Sequence, residues 1–297
     1  MARASIPVDV FNPGQVFAAL GFLELADVLH GDAEGGFDWT REGDTRFEVY
    51  SAGDENPFAT VLRFLAECHV IAQTVAPPDG DIDTANAVEI GETFPASVPD
   101  RMALPISLRS NGLAFSVSHW ADGSDRESFK LYAGNRTGFS IASDMLRGKQ
   151  EKAKKGKQDS ESRTLGVAQL WTQRGDELVA RPFDVLTAMG GSFNLDPRGG
   201  WTAIDAGYSP NEHKDIAIVA SPVVEILAAC GLEHARPAIV KHRDVVYGAW
   251  AGLVPPVLAR AALGGSDVAL AIRRFRFTLG LAGKNKVVTF AREERSE

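Results

Sequence analysis

After Asn12-Pro13, the apolar residues Val16, Phe17, Ala19, Leu20 and Leu23 recur at helical spacing. This pattern predicts a helix reaching about Leu29. Asn is a good N-cap, Pro suits the first helical position, and Gly31 is a suitable stop. Asn56-Pro57 repeats the start signal ahead of Val61, Leu62, Phe64, Leu65, His69 and Ala72. A second helix is therefore predicted, ending before Pro77-Pro78, since a proline pushes the residue before it out of helical geometry. Between these helices the period falls to two. Phe47, Val49 and Ser51 alternate with Glu48 and Tyr50, so 37–51 reads as strands with turns. Two extended runs, 104–110 and 113–119, are split by Asn111-Gly112, a strong hairpin signal. Residues 128–133 are predicted to add another strand.

Further on, 138–147 predicts a short helix. Residues 148–157 carry no apolar period and read as an exposed loop. Residues 184–189 read as the continuation of a helix closed by Gly190-Gly191. Ser221-Pro222 starts another, carrying Val223, Ile226, Leu227 and Cys230, with Gly231 as its stop. Pro255-Pro256 precedes a short helix to about Leu263. The last 25 or so residues look like a hairpin. Phe275, Phe277, Leu279 and Leu281 share one face, and Arg274, Arg276 and Thr278 share the other. The turn is expected near Lys284-Asn285-Lys286, with 287–290 returning. Helices and strands intermix without regular βαβ alternation. The predicted class is α+β, with mainly antiparallel strands in an irregular architecture.

Length and charge sharpen this picture. The chain has 297 residues, 44% of them hydrophobic, ample for a core. No run of about 18 apolar residues exists, so no membrane span is expected. Residues 1–10 lack the pattern of a secretory signal. Two cysteines, Cys68 and Cys230, exclude a disulfide framework and point to a reducing cytoplasm. Net charge is −8, but it is unevenly spread. Residues 1–146 hold 22 acidic and 9 basic side chains, whereas 147–163 hold 7 basic and 3 acidic. The chain divides on these grounds into an acidic α+β region (1–147), a basic loop (148–163) and a second α+β region (164–297). The two regions can also form one continuous domain. A basic segment in an acidic chain suggests an anionic partner, though a solvated loop gives the same pattern.

Catalytic fingerprints are missing: there is no G-x-S-x-G, H-E-x-x-H or Walker A sequence. Gly148-Lys149 is followed by Gln150 where a phosphate loop needs Ser or Thr. His242-Arg243-Asp244 copies a kinase tripeptide, but Ala249 stands where its Asn belongs. Cys230 and His234, or Cys68 and His69, do not make a four-ligand zinc site. Asp79, Asp81 and Asp83 lack the Gly and closing Glu of a calcium loop and read as a solvated turn. No cofactor, metal or catalytic group is assigned. Binding chemistry remains. Lys149, Lys152, Lys154, Lys155, Lys157 and Arg163 suit phosphate. Arg274 and Arg276 lie about 6–7 Å apart on one strand face, near the spacing of successive phosphates. Charge protecting an edge strand is the alternative. Arg198 joins the candidates. A hydrolase using His119, or His213 between Glu212 and Asp215, and a structural adaptor without nucleic-acid contact are the competing readings.

The stretch 8–27, VDVFNPGQVFAALGFLELAD, resembles the N-terminal signature of the type I-G (formerly I-U) CRISPR Cascade large subunit. Two more stretches are similar to that family: SFNLDPRGG at 192–200, continuing through 203–210, and PVVEILAACGL at 222–232, ending at Arg236-Pro237. These pieces cover well under half of the chain, and none is a catalytic motif. The resemblance implies a non-catalytic subunit of an RNA-guided DNA surveillance complex. It would help recognise the target-flanking motif, stabilise the R-loop and recruit a helicase-nuclease. Its expected partners are guide-RNA-bound backbone subunits, target double-stranded DNA and that nuclease, in the cytoplasm and away from membranes. In such assemblies base pairing reads sequence, and protein reads the flanking motif and the backbone. Asn12 and Gln15 read mainly as structural, the first as a cap and the second in the first helical turn. Contact with the flanking motif is their second reading.

Overall fold

A computed structural model describes residues 1–74, 88–89, 103–121, 129–132, 136–149, 164–189, 191–200, 218–241, 243–282 and 285–294. At its centre two helices cross, α1 (Pro13–His30) and α5 (Pro222–His234). The sequence pattern gives α1 one apolar stripe, yet Pro13 through Ala26 are buried on every side. Pro222 through Leu232 are likewise buried in α5. An all-round apolar helix belongs inside a core. Small residues set how closely the two approach. A Cβ at Gly21 would lie 2.8 Å from the carbonyl carbon of Leu227 and closer still to its oxygen. A Cβ at Gly231 would meet Phe17 in the same way. Gly231 is therefore a contact point and not the predicted stop, and α5 runs on to His234.

Side-chain caps start the helices where the sequence places them. The Asn12 Oδ1 accepts from the Gln15 N–H at 3.2 Å, and the Asn56 Oδ1 accepts from the Phe58 N–H at 2.9 Å. The second helix, α2 (Pro57–Glu67), stops short of its predicted end, and His69–Thr74 is strand β4. Its terminal carbonyls are taken by Arg147, whose guanidinium donates to Ala66 O at 2.8 Å, Glu67 O at 2.8 Å and Cys68 O at 2.5 Å. The helix α3 (Gly138–Arg147) that carries this arginine has the predicted span. α4 (Val167–Ala180) ends ahead of Pro182, so 184–189 is not helical. Thr187–Ala188 (β8) instead pairs with Val219–Ala220 (β9). The last helix is α6 (Pro256–Leu263).

The strands form mainly antiparallel sheets, and the fold is α+β. Ala2–Pro7 (β1), Glu34–Asp38 (β2) and Arg46–Ser51 (β3) form one sheet, in the order β1-β3-β2. Val88–Glu89 (β5), β4, Ile106–Ser110 (β6) and Leu113–Val117 (β7) form another. Asn111 and Gly112, both at positive φ (48° and 81°), make the predicted tight turn between β6 and β7. Residues 129–132, predicted as strand, form none. A four-stranded sheet orders Ala238–Lys241 (β10), Asp244–Trp250 (β11), Ile272–Thr278 (β12) and Arg292–Glu293 (β15). Here the C-terminal hairpin prediction fails. The long partner of β12 is β11, and the local hairpin is the short pair Gly280–Ala282 (β13) and Asn285–Val287 (β14).

One hydrophobic core runs from Ile6 to Val288 and draws on both halves of the chain. Polar bolts reinforce it. Tyr247 Oη donates to Val10 O at 2.7 Å, and Trp250 Nε1 donates to Gly35 O at 2.8 Å. Among the described residues no helix is long and apolar enough to cross a membrane.

Candidate nucleic-acid interface

The three stretches that carry the family resemblance meet in one buried polar junction. Asp196 accepts from Asn12 Nδ2 at 3.3 Å and from the Ser221 N–H at 3.1 Å. Arg198 grips the same carboxylate twice, Nε to Oδ1 at 2.9 Å and Nη2 to Oδ2 at 2.7 Å. Its remaining Nη1 donates to Phe183 O at 2.8 Å. Beside this lies Glu225, fully buried near the start of α5. It accepts from the backbone N–H groups of Phe193 at 2.8 Å, Leu195 at 3.2 Å and Asp196 at 2.8 Å. Burial pushes its carboxyl up to about 8, while these donors pull the other way and favour the charged form. The starts of α1 and α5 are thus tied to the 193–198 loop, with every polar group answered, as a buried network requires.

This junction revises three expectations. Arg198 turns its guanidinium inward and is only 20% exposed, so it serves as a bolt for Asp196. Asn12 is fully buried, capping α1 and reaching Asp196. Gln15 is buried and accepts from the Asp9 N–H at 2.8 Å through Oε1. Both act inside the protein, and reading a base edge would require them at its surface.

The C-terminal sheet supplies the surface chemistry. Along β12, Phe275 and Phe277 point to the core, while Arg274 is exposed and Arg276 half-buried. Cross-strand pairing sets Ala238, Val246, Arg276 and Arg292 in one row over four strands. Arg276 faces Arg292 directly, a like-charge placement that costs a sheet stability. Arg276 is held by Glu294, Nε to Oε1 at 2.7 Å. Arg274 and Arg292 form no side-chain ion pair among the described residues. Next to Arg274, α6 leans on Gly248, its cross-strand partner. Arg273, on the other side of the strand, is clamped by Glu293 at 2.7 Å through both Nε and Nη2 and lies over Trp39 and Phe275.

Lys149, exposed and bridged to Thr164, marks the start of the basic segment. Lys152, Lys154, Lys155, Lys157 and Arg163 lie outside the described residues, as do His213 and the Asp79–Asp83 turn. His119 is described and buried. Its Nδ1 lies 3.7 Å from Glu233, which accepts from the Ser118 N–H at 2.5 Å, the Ser118 hydroxyl at 2.6 Å and the His119 N–H at 2.9 Å. Burial alone would raise the Glu233 carboxyl, but the imidazole and these donors outweigh it and hold the group at about 2. The hydroxyl faces the carboxylate, whereas a nucleophilic triad would turn it to the imidazole. The cluster ties the end of α5 to the segment after β7. Among the described residues, no group of three or more His, Cys, Asp or Glu is placed to hold a metal ion.

The buried junction was missed in the sequence, although a signal was present. Glu24 and Glu225 interrupt otherwise apolar helices, and an acidic residue inside such a run marks a buried pair or network. Comparisons with protein-family models, curated proteins and solved structures yield no match.

Proposed function

We propose that this chain is a non-catalytic, nucleic-acid-binding subunit of an RNA-guided DNA surveillance complex, of the type I-G large-subunit kind. The observation that carries the reading is the arginine row on the C-terminal sheet. Arg276 and Arg292 confront each other with Arg274 alongside, and an anionic backbone laid over them would relieve that repulsion. The meeting of the three family-like stretches in one buried junction supports the likeness. In this role the protein would hold the opened duplex, help recognise the flanking motif and recruit the helicase-nuclease. The acidic surface of the first half would suit basic protein neighbours. Lys149, Lys152, Lys154, Lys155 and Lys157 would add phosphate contacts.

The test is the salt dependence of DNA binding by the assembled complex. Replacing Arg274 and Arg292 with Ala should lower affinity and reduce the log–log salt slope by roughly one unit for each phosphate no longer neutralised. Alanines across the five lysines should act likewise. Slopes unchanged in both variants would remove the assignment.

A further inference from the structure

We infer that a cleft beside Phe11 receives an arginine side chain presented by an extended segment of a partner protein. This deepens the expectation of basic neighbours, on which it rests, by naming where one docks and through which side chain. The cleft, of about 540 Å³, opens between residues 7–11 and the 43–45 turn. The Val8 N–H ties the two together by donating to Thr45 O at 2.9 Å. Two cations on the wall are already taken. Arg181 donates to Asp184 at 2.9 Å, and Arg273 is clamped by Glu293 at 2.7 Å. Two carboxylates are left over. Asp9 accepts from the Phe11 N–H at 2.9 Å through one oxygen and forms no ion pair among the described residues. Asp44 meets Arg46 only at 3.7 Å, and that guanidinium already donates to the hydroxyl and the carbonyl of Ser5 at 2.9 Å. The charge complement of this cleft is therefore a cation, and phosphate is repelled.

The same side of the sheet shows how a guanidinium is held there. Arg273 is gripped by a carboxylate and lies over the Phe275 ring at 5.3 Å. Phe11 and Asp9 offer the same pair of groups, a ring and a carboxylate, to a guanidinium from outside. The Phe11 ring is 41% exposed, lines the cleft and is braced edge to face against Phe275 at 5.4 Å. Arginine suits such a pair better than lysine, since its planar head stacks on a ring and forks onto a carboxylate. Gln15 adds a second contact. Its side chain is only 4% exposed, and its Oε1 accepts from the Asp9 N–H at 2.8 Å. Its Nε2 has no hydrogen-bond partner among the described residues, and Gln15 is part of the cleft wall. A buried amide donor turned to a cleft wants an acceptor. The main-chain carbonyl beside an inserted arginine supplies one.

The experiment titrates the isotope-labelled full chain, followed by heteronuclear NMR, with the end-capped peptide Gly-Gly-Arg-Gly-Gly. Parallel titrations use the same peptide with citrulline in place of arginine, free arginine, and guanosine monophosphate. The arginine peptide should shift the Gln15 side-chain amide and the 43–45 backbone signals saturably. The citrulline peptide, which keeps the shape and lacks the charge, should not. Asp9→Asn keeps the acceptor for the Phe11 N–H and should weaken the peptide about fivefold. Phe11→Leu should weaken it about threefold. Urea unfolding confirms that both variants are folded. Equal shifts from the citrulline peptide, or native affinity in Asp9→Asn, would overturn the proposal. Free arginine binding as tightly as the peptide would overturn the protein partner, and tighter binding of the nucleotide would make the cleft a base site instead. Arg274 and Arg292 lie on the other face of the sheet, so any of these results leaves the salt-slope test of the nucleic-acid reading independent.

Discussion

The crossing of α1 and α5 gives a prediction whose sign is open to contest. Replacing Gly231 with Ala adds one methyl in the middle of a helix. Helix propensity alone would stabilise the protein by about 1 kcal/mol. Packing opposes it. The new Cβ falls against Phe17 of α1 well inside 3.0 Å, on backbone that cannot rotate away. The axes must separate by about 1 Å to restore ordinary contact, along a crossing that is buried on all sides. Overpacking of this kind costs about 1–3 kcal/mol, and it also disturbs the network around Glu225 at the start of the same helix. The net expectation is a destabilisation of about 1–2 kcal/mol. Gly21→Ala, at the same crossing, should cost a similar amount. The double variant should cost less than the two together, because helices already parted by one methyl admit the second. That shortfall should be about 1 kcal/mol. Urea unfolding followed by circular dichroism reads all four corners of the cycle, with an unchanged m-value as the check that only stability has moved. A Gly231→Ala protein more stable than the native chain, or strict additivity of the pair, would refute the close-crossing argument.

Other consequences follow from the polar clusters. Glu225→Ala strands three buried N–H groups beside Asp196, and a destabilisation of about 3 kcal/mol or more is expected in the same urea assay. Glu233 is held at about 2 against an ordinary value of 4.5. A lowered carboxyl contributes stability above its unfolded value and loses it as pH falls through the folded one. About 3 kcal/mol should therefore vanish between pH 5 and pH 2 in the native chain and be missing from the slope of Glu233→Gln. Arg147→Ala should cost about 1–3 kcal/mol and lower hydrogen-exchange protection at the end of α2, where three carbonyls are left without their donor.

What could be read from the sequence was local. Asn12-Pro13, Asn56-Pro57 and Ser221-Pro222 start helices because the cap and the proline act within one turn. Asn111-Gly112 makes its hairpin because both residues tolerate positive φ. The failures share the opposite cause. α2 ends at Glu67 because an arginine 80 positions along the chain takes its carbonyls, which no window on 57–74 contains. The β12 strand pairs with β11, whose burial on both faces gives it no alternating pattern. For the candidate site, the arginines of β12 were legible as a charged face. Arg292 opposite Arg276, and Ala291 hydrogen-bonded to Phe11, arise only when distant segments are set side by side. Arg198 is engaged by Asp196, whose other donors, Asn12 and the Ser221 N–H, come from segments far along the chain.

The most direct test of the central claim is a reconstitution. Guide RNA and backbone subunits of a type I-G assembly are combined with and without this chain, and binding to matched duplex DNA is measured at two salt concentrations. The account predicts that the chain joins the assembly and that stable, motif-dependent opening of the duplex requires it. An assembly that excludes the chain, or that binds and opens DNA equally well without it, would contradict the account.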